Sequence, residues 1–316
     1  LIVKENPSLP IVTLQVSFLG GVRFEERRQN GINHFMAVMV TKGTRNQSNL
    51  EIAKKVERMA GSLIGFSGYN SFGFTFTFLS QNFEEAFNLL AEVIRQPSFD
   101  KEEMEKRRRL ILASIQQQED DLSSLVFKLF RNTLYEKHPY RMDPLGTLDS
   151  IRKLTQKDLK EYYQRIAVPE NMVLTVVGDI DQKQVVLAVK RGLGDFKREP
   201  LLTPSISQEP PLQKKRKVEM HKVKEQAHFV LGFLGVSFHH PDSYALTVLG
   251  AALSGQGGRL FHELRDKESL AYALDFMANP NLDPGFIGIY MGIHPNKLET
   301  AIEAERNSTR LNTSHP

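Results

Sequence analysis

The sequence has no cysteine and no tryptophan among its 316 residues. Without cysteine the chain can form neither a disulfide nor a thiolate zinc site, which leaves histidine, aspartate and glutamate as possible metal ligands. No apolar run approaches the roughly 18 residues that a membrane-spanning helix needs, so we expect no membrane partner. The sequence begins with Leu1 rather than methionine and shows no leader pattern, so it leaves the cellular compartment open.

Positive charge exceeds negative charge only slightly. There are 41 Lys and Arg residues against 37 Asp and Glu, a formal net charge of +4 at pH 7, which is typical of a mixed, solvated surface. The densest basic run, KKRK at 214–217, follows a proline-rich stretch, and together they predict an interdomain linker at 200–216 with solvated charges. Such a run also resembles a nuclear-import or nucleic-acid-binding cluster. It lacks interleaved aromatic residues, so we expect no nucleic-acid partner.

The hydrophobic pattern predicts strands broken by pairs of helices, which is typical of an α+β fold. Two strands, 1–5 and 11–19, are predicted to form a hairpin around Asn6-Pro7-Ser8. A helix follows, with Asn30 as its predicted N-cap, and a capping box of Ser48 and Glu51 opens the next. Alternating phenylalanines predict a half-buried strand at 72–78. Further helices are predicted at 82–95, 100–119 and 122–137, and a buried strand at 171–177.

The sequence pattern predicts that one such unit occurs twice. The reading Phe-Leu-Gly at 18–20 recurs at 233–235, and in both places an apolar helix follows. We therefore expect two homologous domains, each a mainly antiparallel or mixed sheet covered by helices on one face, with the second domain truncated. The predicted boundaries are an N-terminal domain at 1–199, the linker at 200–216, a partial C-terminal domain at 217–306 and a non-native tail at 307–316.

The segment 31–44 carries a resemblance to a known family. It reads GINHFMAVMVTKGT and resembles the zinc-binding helix of the insulinase/pitrilysin metallopeptidases, which carry the inverted motif H-x-x-E-H. Two histidines at i and i+4 share one helical face and can hold one zinc, and the glutamate activates the zinc-bound water.

Three of the four chemical positions of that motif are lost in this sequence. His34 matches the first ligand, whereas Ala37 stands at the general base and Val38 at the second ligand. The family's third ligand, a glutamate on a later helix, falls by spacing on Ser114. One imidazole cannot hold a catalytic zinc, which needs about three protein ligands. We therefore expect neither a metal site nor catalytic residues sufficient for hydrolysis on this chain alone.

A second motif lies at 255–272, which reads GQGGRLFHELRDKESLAY and resembles the family's R/Y segment. Arg265 and Tyr272 match both residue types and their spacing of seven, and the resemblance implies that they reach towards a peptide substrate. A guanidinium and a phenol can both donate hydrogen bonds to a substrate carbonyl or oxyanion. Purely structural roles stay open, with Arg265 paired to Asp266 or Glu268 and Tyr272 packed within a strand.

The resemblance implies a clamshell of homologous domains in which peptide substrates add to a sheet edge. By motif position that edge is the segment SLIGFS, comprising Ser62, Leu63, Ile64, Gly65, Phe66 and Ser67. Core packing of Phe66 is the alternative. A broken zinc helix beside an intact R/Y segment predicts a non-catalytic, substrate-binding half or subunit, with no cofactor of its own. Its expected partner is a zinc-bearing insulinase-like half, and bacterial two-subunit members suggest the periplasm or cytoplasm.

Three other functions remain in competition. A purely structural subunit, like the core proteins of a respiratory complex, would have no use for Arg265 and Tyr272. An active zinc peptidase would need ligands and a base that the helix at 31–44 does not supply. A basic nucleic-acid-binding module would rest on the run at 214–217 alone.

Overall fold

Two β-sheets organise the chain, one in each of two compact units. The computed structural model describes residues 1–196, 200–201, 203–255, 257–258 and 260–309, except for the side chains of 266–267 and 305–309. Unit 1 comprises Leu1–Gln116 and Met142–Ile206, and unit 2 comprises Gln117–Arg141 and Ser207–Pro316. Most of the predicted tail, 310–316, therefore lies outside the described residues.

Strands and helices alternate along the chain much as the hydrophobic pattern predicts. The strands are β1 (Ile2–Glu5), β2 (Ile11–Leu19), β3 (Ser62–Ser67), β4 (Ser71–Leu79), β5 (Met172–Gly178), β6 (Ala227–Leu234), β7 (Ala271–Asn279) and β8 (Phe286–Ile293). The α-helices are α1 (Ile32–Val40), α2 (Asn49–Arg58), α3 (Phe83–Arg95), α4 (Lys101–Asp120), α5 (Leu122–Leu134), α6 (Leu148–Lys153), α7 (Gln156–Ile166), α8 (Gln182–Leu193), α9 (Asp242–Leu253) and α10 (Leu298–Thr309).

Unit 1 contains a five-stranded sheet in the order β1-β5-β2-β4-β3. Only β1 and β5 are parallel, and the other neighbours are antiparallel. The predicted hairpin of the first two strands is wrong, because β5 lies between them and pairs with β2 from Val12↔Gly178 to Phe18↔Met172. The pattern of a short apolar strand shows its burial but not its neighbour, which here comes from about 160 residues further along the chain.

The core of unit 1 lies on one face of this sheet, as expected. Alternate residues of β2 are buried, and the phenylalanines of β4 face the same side, with Phe18 and Phe72 stacked at 4.9 Å between ring centroids. Polar residues such as Thr13 and Thr77 alternate with them and meet across the strands at 3.0 Å. The capping box of Ser48 and Glu51 at the start of α2 is confirmed. The mainly antiparallel α+β architecture of the first domain is therefore confirmed.

Unit 2 contains a three-stranded antiparallel sheet in the order β6-β8-β7. One face packs against α9, α10 and a π-helix at Phe261–Lys267, with Ile289, Met291 and Ile293 of β8 in the core. Alternate residues point to the other face, where α5 lies, and the Phe130 ring of α5 is 5.1 Å from that of Phe286. The sheet of unit 2 thus has helices on both faces, whereas one covered face was expected.

The predicted linker makes specific contacts within unit 2. The Glu209 carboxylate accepts hydrogen bonds from the backbone N–H groups of residues 136, 137 and 138, at 2.6 to 2.9 Å. The Arg216 guanidinium donates to the carbonyls of Thr133 and Leu134, at 3.0 and 3.1 Å, where α5 ends. Such carbonyls lack helical partners, and a cation satisfies them. The expectation that the whole basic run is merely solvated is therefore wrong for Arg216.

Across the described parts of the chain, no helix combines the length and the apolar content that a bilayer crossing requires.

Candidate functional site

Helix α1, which carries the predicted zinc-motif positions, begins from a buried carboxylate. Gly31 adopts a left-handed conformation (φ 89°) at the N-cap. The Glu25 side chain accepts hydrogen bonds from the backbone N–H groups of Gly31 at 2.8 Å and Asn33 at 3.0 Å. The predicted cap, Asn30, instead donates its amide to Glu25 at 2.8 Å. Glu25 thus satisfies backbone N–H groups at the start of α1 that have no helical partner. The sequence offered one signal for this role, an acidic residue several positions before the helix.

A buried polar network fixes the orientation of α1 within unit 1. The Asn33 side chain donates to the Gly21 carbonyl at 2.8 Å and to the Tyr162 hydroxyl of α7 at 2.6 Å. Burial raises the pKa of the Glu25 carboxyl, although its hydrogen bonds from Asn30 and the α1 amides oppose that rise. Desolvation raises the pKa of Tyr162 as well. Buried hydrogen bonds therefore join α1 to α7.

His34 lies half-buried on α1. Burial lowers the pKa of its imidazole, and the charge of Asp143 opposes that effect. The neutral form is therefore favoured near pH 7, and a neutral imidazole has a lone pair for a metal. His34 is therefore suitable as a metal ligand, and the residues at the other motif positions decide whether a metal site can form.

The neighbouring motif positions are packed rather than chemically available. Ala37 is fully buried, and Val38 is half-buried and aliphatic. A Cβ added at Gly65 would lie 2.0 Å from the Ala37 carbonyl oxygen, so the backbones of α1 and β3 touch there. Glycine at this position is needed for that close approach. The structure thus brings the altered motif directly against β3, and the methyl group of Ala37 serves packing.

The fourth predicted position, Ser114, is exposed on α4, and its hydroxyl donates to the Leu110 carbonyl of the same helix at 3.1 Å. A hydroxyl bonded within its own helix is a poor substitute for a carboxylate ligand. Among the described residues, no group of three or more His, Asp or Glu side chains is placed to hold a metal ion. The donor set of His34, Ala37, Val38 and Ser114 therefore does not fit zinc.

The stability of unit 1 should depend on the protonation of His34. The folded-state pKa lies below the ordinary value of 6.5, so the unfolded chain binds the proton first as the pH falls. The contribution of neutral His34 to the free energy of unfolding is present above pH 6.5. It is lost as the pH falls from 6.5 towards the folded-state pKa. When the pH is lowered from about 7.5 to 5.5, the free energy of unfolding measured in urea should fall less for His34→Gln than for wild type. An imidazole NMR titration with a midpoint above 6.5 would contradict this assignment.

The predicted substrate edge, Ser62–Ser67, coincides with β3, which among the described residues pairs with β4 alone and lies at the end of the sheet. Ile64 is largely exposed, whereas Leu63 packs against the core. An edge strand with unpaired backbone groups can accept another strand. The peptide-binding role of β3 stays a prediction.

In unit 2, Arg265 lies in the π-helix at Phe261–Lys267. Its neighbour Leu264 is fully buried, which anchors the helix and leaves Arg265 exposed. The guanidinium carbon lies 4.6 Å from the ring centroid of Phe261. No ion pair joins Arg265 to Glu268 in the described portion of unit 2, and the Asp266 side chain lies outside the described residues. A stacked guanidinium is held in place and keeps its N–H donors for another group.

Tyr272 occupies an irregular position at the start of β7. Ala271 pairs with Ile293 and Ala273 with Gly292, so Tyr272 is the additional residue of a β-bulge. Its side chain is 61% exposed. Bulges redirect a side chain out of the regular sheet pattern and are frequent beside functional sites. This geometry does not fit the alternative reading of Tyr272 as ordinary strand packing.

The turn between Arg265 and Tyr272 is closed by backbone hydrogen bonds. Ser269 N donates to Arg265 O at 3.1 Å, and Leu270 N donates to Leu264 O at 3.0 Å. Leu264, Leu270 and Ala271 are buried, so the core of unit 2 supports the segment that carries both exposed donors. By chemical type, Arg265 and Tyr272 are hydrogen-bond donors rather than a nucleophile or base.

Two family models match this chain over adjacent stretches. A model described as "Insulinase (Peptidase family M16)" matches residues 1–147, which include α1 and β3. A model described as "Peptidase M16 inactive domain" matches residues 153–310, which include Arg265 and Tyr272.

Similar proteins cover most of the chain. The "Uncharacterized zinc protease YmxG" of Bacillus subtilis is 28% identical over 304 residues, which is 96% of this chain and 73% of that protein. Subunit 1 of the mitochondrial cytochrome b-c1 complex of Bos taurus is 28% identical over 257 residues, 80% of this chain and 53% of that protein. A crystal structure of a protease from Helicobacter pylori has the same fold, with a TM-score of 0.88 at 24% identity over 96% of this chain and 76% of that one.

Proposed function

This chain belongs to the insulinase (M16) family of peptidases, and from that premise we propose that it is a substrate-binding half that completes the active site of a zinc-bearing partner. The reaction is peptide-bond hydrolysis. The partner supplies the zinc and the base, and this chain supplies Arg265 and Tyr272 as donors to the substrate carbonyl.

One contrast carries the proposal. On α1 the positions of the base and the second ligand are occupied by packed aliphatic side chains, Ala37 and Val38, beside a fully usable His34. In unit 2, by comparison, Arg265 and Tyr272 are exposed on a well-anchored turn, one stacked on an aromatic ring and the other at a bulge. A purely structural role would not require two exposed polar donors at the family's spacing.

The proposed substrate is an extended peptide. The free edge of β3 offers backbone N–H and C=O groups to a peptide strand, and α1 supports β3 from beneath through the contact of Gly65 with Ala37. Strand addition recognises the peptide backbone and so suits substrates of varied sequence.

A structural role is the second candidate, and a specific similarity favours it. The similar bovine protein is named as a subunit of the cytochrome b-c1 complex. A scaffold subunit would associate with partners without any contribution from Arg265 or Tyr272. Substitution of those two side chains therefore distinguishes the two functions.

The direct test is a reconstitution assay. The purified chain is mixed with a zinc-bearing family member that keeps H-x-x-E-H, and cleavage of a fluorogenic peptide is followed. We expect no cleavage by this chain alone and cleavage by the mixture above the rate of the partner alone. A mixture no faster than the partner alone, despite a complex in size-exclusion chromatography, would favour the structural role.

A further inference from the structure

One peptide group in the turn that precedes β7 is held at both of its ends. The Leu270 N–H donates to the Leu264 carbonyl at 3.0 Å. The Ser269 carbonyl, which belongs to the same peptide group, accepts a hydrogen bond from Lys297 Nζ at 2.9 Å. The N–H and C=O of a trans peptide point in opposite directions. Leu264 and Lys297 therefore fix the orientation of this peptide plane from its two sides.

Ser269 has an unfavourable backbone conformation in this turn. Its φ is 49°, in the left-handed region that residues other than glycine rarely adopt. Strained backbone of this kind persists where surrounding contacts determine it, and it is frequent at functional sites. The hydrogen bond from Lys297 to the Ser269 carbonyl is one such contact. The conformation of the turn therefore depends on a side chain that lies 28 residues further along the chain.

Lys297 is itself placed by a short element with its own hydrogen bonds. The 3₁₀ turn at Pro295–Lys297 follows β8 in the chain. The His294 side chain accepts a hydrogen bond from the Asn296 N–H at 3.3 Å, and the Lys297 N–H donates to the His294 carbonyl at 2.9 Å. Pro295 at the start of the turn has a φ that is preset for a helical turn. The backbone that carries Lys297 is therefore anchored to β8, the central strand of the sheet of unit 2.

The turn that Lys297 holds connects the two donors of the proposed function. Arg265 lies before it, and the Arg265 carbonyl accepts the Ser269 N–H at 3.1 Å. Tyr272 lies after it, one residue beyond Ala271, which pairs with β8. A rotation of the peptide plane between residues 269 and 270 would displace the backbone on the side of either donor. Because Lys297 bonds to the backbone between them, it can act on both donors through one contact.

We propose that Lys297 is a positioning residue for Arg265 and Tyr272. Its hydrogen bond to the Ser269 carbonyl keeps the turn in the conformation from which both donors are presented to the substrate. This role rests on the proposed function of those two side chains, and it gives Lys297 no contact with the substrate. Lys297 is exposed, so its substitution should leave the core of unit 2 intact.

The first measurement uses the chain alone. Lys297→Met removes the donor and keeps the length of the side chain. We expect hydrogen exchange at the Ser269 and Leu270 amides to become about fivefold faster, a factor typical of the loss of one hydrogen bond, whereas the amides of β8 keep their rates. Lys297→Arg retains a donor and should exchange as wild type does. Lys222→Met is the matched control, since Lys222 Nζ donates to the Glu119 carbonyl at 2.6 Å elsewhere in unit 2.

The second measurement is steady-state peptide cleavage by the chain mixed with a zinc-bearing family member. Lys297→Met should lower kcat about fivefold and leave KM within about twofold, because displaced donors weaken transition-state binding more than substrate binding. Lys297→Arg should retain most of the rate, and Lys222→Met should leave it unchanged. In a chain that already carries Arg265→Ala and Tyr272→Phe, Lys297→Met should have no further effect, because it acts through those two side chains.

Unchanged exchange at the Ser269 and Leu270 amides in Lys297→Met would overturn the proposal, as would an undiminished loss of kcat in the chain that lacks both donors. If Arg265→Ala lowers the rate and Lys297→Met does not, the proposed function stands and the positioning role fails. If neither Arg265→Ala nor Tyr272→Phe lowers the rate, the proposed function itself fails, and the positioning role fails with it.

Discussion

Replacing Arg265 by alanine is expected to lower partner-dependent peptide cleavage about a hundredfold, since the loss of one well-placed donor to a developing oxyanion typically costs that much. The effect should fall on kcat more than on KM, because the oxyanion forms only in the transition state. Arg265 is exposed and stacked on Phe261, so its removal should leave the core of unit 2 unchanged. Steady-state kinetics of the reconstituted mixture measures both parameters.

Tyr272→Phe tests the second donor with the ring retained. It removes only the hydroxyl, so a loss of rate would come from hydrogen bonding rather than from packing at the bulge. Arg152→Ala on α6 serves as a control for loss of an exposed arginine and should leave cleavage unchanged. A mixture that works equally well after Arg265→Ala and Tyr272→Phe would contradict the substrate-binding role and favour the scaffold role.

The equivalent phenylalanines of the two sheets should respond very differently to truncation. Phe18→Ala is expected to lower the free energy of unfolding of unit 1 by about 3–5 kcal/mol, because Phe18 is 1% exposed and stacks on Phe72. Phe233→Ala should cost less than about 1 kcal/mol, since Phe233 is 58% exposed. The contrast arises because β2, which carries Phe18, lies between β4 and β5, whereas in the part of unit 2 that the structure describes β6, which carries Phe233, pairs with β8 alone.

Urea unfolding followed by hydrogen exchange separates the two units, so each variant can be assigned to its own sheet. Leu187→Ala, at an exposed position of α8, controls for loss of an apolar side chain at the surface. Equal costs for Phe18→Ala and Phe233→Ala would contradict the difference in burial between the two side chains.

Much of the architecture could be predicted because the relevant signals are local. The alternating phenylalanines of β4, the capping box of α2 and the helix spans near α3 and α4 depend on residues within one element. These features need no knowledge of distant contacts. The segment of β3 was expected instead from the family resemblance, by motif position.

Other features depend on partners that are remote in sequence. The parallel pairing of β1 with β5 cannot be read from the short run at Ile2–Glu5. Helix α5 shows one amphipathic pattern, and that pattern does not say which sheet it covers. Glu25 looks like an ordinary surface acid until its hydrogen bonds to the first turn of α1 are seen. The bulge at Tyr272 follows from the register of β7 against β8.

Zinc content of the purified chain, measured together with its unaided hydrolysis of a peptide, bears most directly on the role proposed for it. The Val38→His, Ser114→Glu double variant is the positive control, expected to gain one zinc through three protein ligands while Ala37 still leaves it without a base. We predict that wild type, equilibrated with zinc and then dialysed, retains no stoichiometric metal and cleaves nothing. One zinc per chain that disappears in His34→Ala, accompanied by hydrolysis without a partner, would contradict the proposal.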